Sequence, residues 1–388
     1  MKLTVRIIQF IVGILFIVSG LVKANDPLGL SYKMQEFFEL WNSELNAGHF
    51  FARNFLVGLF EFLHENSLPL AIVMITLEII LGVALLLGRR KKLVLYSLLL
   101  LMVFFTFLTG YAYLSGKFTN CGCFGDCLPI SPMTSFIKDL VLLAFIIILL
   151  ARKKFIEPVL TIRLTALILF VSFLASIIFQ WYALQYLPPV DCLPFKKGNS
   201  IAEQMKPPRG AITDSTAIRY IYEKNGKRFE WAPEQLPQDF ESYTYVDRID
   251  KLVRKGNAEP RIKGFSLTDT MQQDHTTEVL SAPEAILIFA LDAGNTNWIN
   301  NLGEIIKDAS TRQVPVYLAT SMQESFMKIL SDHHFDIPVY ACDFTVIRTA
   351  ARTEPTVYLL KKGTIVNKFS VREFNKIPGS LDRLKSVK

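Results

Sequence analysis

The chain has 388 residues, of which 51% are apolar and 20% charged, with a net charge of +7 and five cysteines. The apolar runs fill roughly the first 185 residues and the charges crowd into the remainder, which excludes a single water-soluble domain and points to a membrane domain followed by a soluble one. The positive charge is not a nucleic-acid footprint, because much of it sits in short clusters at the ends of apolar runs. Five cysteines are too few for a disulfide scaffold, and an odd count leaves at least one unpaired in a monomer.

In chain order, the first apolar run extends from about Leu3 to Val22. Lys2 and Arg6 give it the look of a secretory leader, but no A-x-A cleavage site follows, so it reads as a retained span. Residues 24–67 connect it to the next. Tyr32, Met34, Phe37, Phe38, Leu40 and Trp41 recur there at roughly helical spacing, followed by Phe50, Phe51, Phe55, Phe60 and Phe62. Such a stretch is either an interfacial helix lying on the bilayer or a small packed cap over the bundle. Leu68 to Leu87, Leu93 to Leu114, Ser135 to Ala151 and Leu164 to Tyr182 are four further runs of spanning length, since about 20 residues cross about 30 Å of hydrocarbon. The last ends in Trp181, Tyr182 and Tyr186, an interfacial aromatic belt.

Basic clusters orient these five spans. Lys2 and Arg6, the run Arg89–Lys92, and Arg152–Lys154 all fall on one face, which the positive-inside rule makes cytoplasmic. The expected location is a bacterial inner membrane with the N-terminus in the cytoplasm. The 24–67 connection, the loop after the third span and the tail then lie in the periplasm, an oxidising compartment.

The tail divides in two. Residues 186–280 form a linker module in which Ile218–Phe229 reads as a β-hairpin around Asn225-Gly226. Residues 281–388 have an α/β pattern. Strands are expected at Ile286–Leu291 and Val314–Ala319, with helices at Trp298–Ala309 and Ser325–Leu330. A hairpin follows at Thr356–Leu360 and Thr364–Phe369, and a last helix from about Glu373. The fold class is thus an α-helical membrane bundle of about five spans over 1–185, followed by a periplasmic α/β domain.

Chemistry concentrates in the loop after the third span, where Cys121, Cys123 and Cys127 fall within seven residues. Thiolates attack disulfides, so cysteines at the bilayer edge suit electron transfer between thiols and a lipid carrier. Cys121 or Cys123 closes an easier ring with Cys127 than with each other. An inert disulfide and a metal site are the alternatives, the second weakened by the absence of a nearby His. Cys192, soon after the fifth span, either joins this loop as a disulfide partner or stays free. Cys342 lies between apolar residues and reads as a buried core thiol.

Glu78 is a carboxylate midway along an apolar span and therefore faces the bundle interior. It either handles protons beside a quinone or hydrogen-bonds to Tyr96, Ser97, Thr106 or Thr109. Lys23 and Asp26 read as an interfacial pair. Lys138 and Asp139 read as a charge pair at a helix start or as groups tuning thiol acidity. His333-His334 is a weak metal signal without ligand-spaced partners.

Ser19-Gly20-Leu21-Val22-Lys23, Glu78 and Cys121-Gly122-Cys123-Phe124-Gly125 resemble the DoxX-like membrane proteins and, within them, the MauE family. The resemblance implies a small bundle linked to thiol or quinone redox and to disulfide formation during maturation of a periplasmic enzyme. It makes Cys121 and Cys123 the redox pair, with Cys127 extra to the motif. The tail from about Ser281 resembles a thioredoxin-like domain. Thr353-Glu354-Pro355-Thr356 matches the family's loop, which makes Pro355 the cis-proline. Where that family has Cys-x-x-Cys, this chain has Asp292-Ala293-Gly294-Asn295-Thr296-Asn297-Trp298, so the domain reads as a docking version of the fold.

The expected function is therefore periplasmic thiol–disulfide or quinone-linked redox with partner maturation, on Cys121, Cys123, Cys127 and Glu78. A quinone is the one cofactor this brings in, no metal is expected, and the partners are the lipid bilayer and a periplasmic or membrane protein, with no nucleic acid. The alternative is a non-enzymatic assembly subunit of an envelope complex with a structural disulfide.

Overall fold

A computed structural model describes residues 2–47, 52–118, 127, 130–213, 215–254 and 256–386. The N-terminal half is helical: α1 (Lys2–Ala24), α2 (Pro27–Ala47), α3 (Arg53–Glu65), α4 (Ser67–Leu87), α5 (Lys91–Ser115), α6 (Pro132–Ala151) and α7 (Ile162–Tyr186). Among the described residues five of these, α1, α4, α5, α6 and α7, are long and apolar enough to cross a membrane. The shortest, α6, has 20 residues, which at about 1.5 Å per residue spans about 30 Å.

The sequence sets these boundaries with local chemistry. Ser131 caps α6 by accepting from the Thr134 amide, with Pro132 at the first turn, and Thr161 does the same for α7 from the Leu164 amide. Gly88 closes α4 in the left-handed region at φ 70°. Along α1 and α4 the backbones approach closely, as small residues permit in membranes: a Cβ on Gly82 would stand 2.8 Å from the Gly13 carbonyl oxygen. Val12, Phe16, Leu81, Leu85, Leu95, Leu98, Met102 and Ile146 fill the bundle core.

Of the two readings for residues 24–67, α2 takes the packed cap. It buries Met34, Phe37 and Phe38, and Ser31 Oγ lies 2.8 Å from Ser67 Oγ at the head of α4. Helix α3 buries nothing and exposes Phe55 and Phe62. Phe50 and Phe51 lie outside the described residues.

The tail begins with a short helix α8 (Ile201–Gln204) and a three-stranded antiparallel sheet, β1 (Ser215–Lys224), β2 (Lys227–Trp231) and β3 (Thr244–Arg254), ordered β2-β1-β3. The hairpin turns at Asn225-Gly226, both at positive φ, as the Asn-Gly signal predicts. No described side chain of this sheet is buried.

Then follow α9 (Thr276–Ser281), β4 (Ala285–Ala290), α10 (Ile299–Thr311), β5 (Val316–Thr320), α11 (Gln323–Asp332), β6 (Val339–Ala341), α12 (Phe344–Ala350), β7 (Thr356–Lys361), β8 (Thr364–Ser370) and α13 (Ile377–Ser386). The sheet order is β6-β5-β4-β7-β8. Strands β4, β5 and β6 run parallel, and β7 and β8 form an antiparallel hairpin beside β4. Every residue of β4 and β5 is buried, as strands covered by helices on both faces must be. This is a thioredoxin-like α/β layering. Strand β6 and helix α12 carried no sequence expectation, because three residues of strand and seven of helix are too short for periodicity to register.

The domain also draws on residues well before Ser281. Phe195, Ile201, Ile262, Phe265 and Leu267 pack into the core on one face of the large sheet, with Phe289, Tyr340 and Tyr358. The amides of Gly198 and Ile201 donate to the β7–β8 hairpin at Ile365 and Gly363. The three-stranded sheet therefore emerges from within this domain, between residues that both belong to its core.

Candidate functional site at the membrane–domain junction

Cys127 and Cys192 form a disulfide, with Cα atoms 4.8 Å apart and 65 residues between them in sequence. Cys127 follows α5, Cys192 follows α7, and both helices end on the same side of the bundle. Both residues are half-buried, in a niche lined by Val22, Asn25, Asp26, Val190 and Asp191. Cys192 is thus the partner of the loop. Pairing of Cys127 with Cys121 or Cys123 is not what the structure contains, because topology brings Cys192 to Cys127 and uses its one bond. Cys121 and Cys123 themselves lie outside the described residues.

Polar contacts around the disulfide join the two halves of the molecule. Asn25 and Val190 exchange two hydrogen bonds, the Asn25 amide donating at 2.8 Å and the Val190 N–H at 2.9 Å. The Asp26 carboxylate accepts from Arg352 Nε at 2.8 Å and from the Gly29 amide at 3.0 Å. Arg352 is 4% exposed and also donates to the Arg348 carbonyl. Arg348 stacks its guanidinium 3.9 Å over the Tyr32 ring and donates to Gln35. Lys368 reaches Asp191 at 2.7 Å; burial pulls its pKa down while Asp191 opposes the shift. Asp26, Tyr32 and Gln35 belong to the membrane domain, and Arg348, Arg352 and Lys368 to the α/β domain.

These partners overturn two expectations. Lys23 and Asp26 do not pair: Asp26 binds Arg352, and Lys23 turns inward to form a buried ion pair with Glu78. Glu78 therefore has Lys23 as its partner rather than a Tyr, Ser or Thr. Thr106 and Thr109 donate to the carbonyls of Met102 and Phe105 on their own helix, and Tyr96 is exposed. Thr109 also donates to Asp139 at 3.0 Å, and Lys138 lies 2.7 Å from that carboxylate.

On the α/β domain, the Glu354–Pro355 peptide is cis, at the position expected. Both oxygens of Glu354 lie 3.0 Å from the Leu291 amide at the end of β4, and burial pushes its carboxyl up to about 7. The following loop, Asp292–Trp298, carries no cysteine. The remaining described thiol, Cys342, is buried, and burial pushes it up to about 12, so it is a core residue and not a nucleophile. His333 and His334 gather no ligands, and among the described residues no group of three His, Cys, Asp or Glu could hold a metal. The redox-capable sulfur of the described structure is thus all at the junction. Sequence reasoning missed Asn25, Asp191, Arg352 and Lys368, because each pairs with a residue more than 150 positions away.

Comparison with known proteins agrees with this division. Residues 1–152 match the family described as methylamine utilisation protein MauE, so the first part of the chain is a MauE-like membrane domain. Residues 216–255, which cover most of the three-stranded sheet, match a domain of unknown function (DUF8463). A curated relative, protein TlpB of Flavobacterium psychrophilum, is 28% identical over 156 residues, 38% of this chain and 37% of that protein. The match thus spans little more than a third of the relative's length. A solution structure of a protein from Neisseria meningitidis described as a thioredoxin covers 32% of this chain and 89% of its own, at 19% identity and a TM-score of 0.28. The thioredoxin-like description above stands on strand order, independently of that match.

Proposed function

We propose that this chain is a thiol–disulfide exchange protein of the bacterial inner membrane, working on its periplasmic face through the Cys127–Cys192 disulfide. The observation that carries the reading is the position of that bond: half-buried, at the bilayer end of α5 and α7, in the same loop as two further cysteines. A thiolate of Cys121 or Cys123 attacks Cys127 Sγ, a new S–S bond forms, and Cys192 leaves as a thiolate. A partner's dithiol then reduces the new loop disulfide, leaving the partner oxidised and the loop cysteines as thiols, and transfer of two electrons and two protons from the Cys127 and Cys192 thiols to a membrane quinone re-forms the starting bond. Over a full cycle a periplasmic partner's dithiol loses two electrons and two protons, and a membrane quinone takes them up as quinol. The α/β domain, which has no dithiol of its own in the Asp292–Trp298 loop, holds the partner or the membrane domain in place.

The test is trapping in cells. With Cys121 or Cys123 replaced by Ala, the exchange stalls and a mixed disulfide to a partner accumulates, resolved by reducing conditions on a gel. If neither variant traps a partner and Cys127–Cys192 stays oxidised when quinone is depleted, the bond is a permanent clasp. That second reading has its own support in Asp26–Arg352, which already binds the two halves of the chain beside it, and in Lys368–Asp191 next to Cys192.

A further inference from the structure

A partly open cavity of about 30 Å³ lies between the helices of the bundle, lined by Ser19 and Lys23 of α1, Glu78 of α4, Met102 and Phe105 of α5, and Lys138 and Asp139 of α6. Its size is enough for one or two waters and too small for an organic ring. Two ion pairs meet there. Lys23 binds one oxygen of Glu78, and its ammonium also sits 4.2 Å from the Phe105 ring centre. Lys138 lies beside Asp139, whose other oxygen accepts from Thr109. Lys23, Glu78 and Asp139 are at most 3% exposed.

Two buried carboxylate oxygens in this arrangement have no hydrogen-bond partner among the described residues, Glu78 Oε2 and Asp139 Oδ1, and the second lies beside the Lys138 ammonium. An unmet carboxylate oxygen in an apolar bundle is unfavourable, and a cavity with polar groups beside it is where buried water is found. Of the other helices packed on α4, α5 contributes Met102 and Phe105 to the cavity, and α7 contributes Ser176 and Gln180, which hydrogen-bond to Thr76.

We propose that this cavity holds a structural water that donates to Glu78 Oε2 and links the Lys23–Glu78 and Lys138–Asp139 pairs into one hydrated four-charge site. The site carries two basic and two acidic side chains, of which Lys23, Glu78 and Asp139 are buried and Lys138 is 27% exposed. Its water places an exchangeable proton against Glu78, whose partner Lys23 precedes the Asn25–Asp26 corner that flanks the disulfide by two residues. The inference does not depend on the exchange reaction proposed above, since it concerns occupancy of the cavity and not turnover.

Radiolytic hydroxyl-radical footprinting of the full chain in lipid nanodiscs tests it, because activated internal water oxidises the side chains it touches. Met102 lines the cavity and Met74 does not, yet both are buried in the same bundle. The expected result is oxidation of Met102 several-fold faster than Met74, with the ratio falling to about one in the paired variant Lys23→Met with Glu78→Met. Should that variant not fold, Ser19→Leu fills the cavity without touching a charge and is expected to lower the ratio in the same way. Equal rates in the wild type, or a high ratio that survives in the folded variants, would overturn the proposal.

Discussion

The interior of the membrane bundle and the interior of the α/β domain treat charge in opposite ways. The bundle, surrounded by apolar spans, keeps Lys23, Glu78 and Asp139 buried inside it. The α/β domain keeps its two core faces free of charge, filling them with residues such as Leu287, Phe289, Leu302 and Phe326. It brings Arg352, Lys368 and Glu354 to the face that meets the membrane domain or to the loops beside it. Buried charges of the bundle pair with each other, whereas Arg352 of the α/β domain pairs across the junction with Asp26, Lys368 with Asp191 just beyond α7, and Glu354 with an amide of its own domain. The difference teaches where each half is specified: the bundle from within, the α/β domain's placement from its contact with the bundle.

Removing one partner of the inner pair should do most damage. Lys23→Ala leaves Glu78 buried and alone, and is expected to destabilise the bundle by up to about 5 kcal/mol. Replacing both partners by Met should recover most of that loss, as read by thermal unfolding in detergent. If the double variant is no better than the single, the charges matter for more than their pairing. The junction disulfide comes next. Closing a 65-residue separation stabilises by about 4 kcal/mol in the chain-entropy account. Cys192→Ser should lower the midpoint accordingly and make Cys127 newly accessible to alkylation.

Glu354 sharpens the comparison through pH. Its carboxyl is raised by burial from the ordinary range to about 7. The folded state therefore resists losing this proton. The stability present at low pH declines as pH rises from about 4.5 through about 7, by about 3 kcal/mol in full. Glu354→Gln should flatten that window, and an unchanged pH profile would contradict the burial argument. Asp26→Asn is expected to cost less, about 2 kcal/mol, with faster protease cleavage near residues 187–192 as the junction loosens. Smallest of all is Cys342: with its thiol pushed up to about 12, it should remain unalkylated in the native protein over minutes and react only after unfolding.

Much of this architecture is legible in the chain itself. Five spans, the Asn225-Gly226 hairpin and the cis-proline at Pro355 follow from runs, turn chemistry and a local motif, all of which act within about 20 residues. What escaped is non-local. Lys23 and Asp26 are neighbours in sequence and read as a pair, but a helix end separates their directions, sending one to Glu78 and the other to Arg352. Cys192 was legible as a candidate partner of the loop because it follows a span that ends on the same face. Which loop cysteine it takes depends on where α5 and α7 end in space. The core of the α/β domain reaches back to Phe195 because a long inserted sheet separates residues that pack together, a separation no hydrophobic period reveals.

The central claim is that the Cys127–Cys192 bond turns over. The most direct measurement is the redox state of Cys192 in intact cells, read by alkylation and mass spectrometry before and after quinone depletion. The exchange account predicts that Cys192 shifts from mostly oxidised to substantially reduced on depletion and reoxidises when quinone is restored. A bond that stays fully oxidised through the whole cycle would contradict it and leave Cys127–Cys192 as a clasp between the two halves of the molecule.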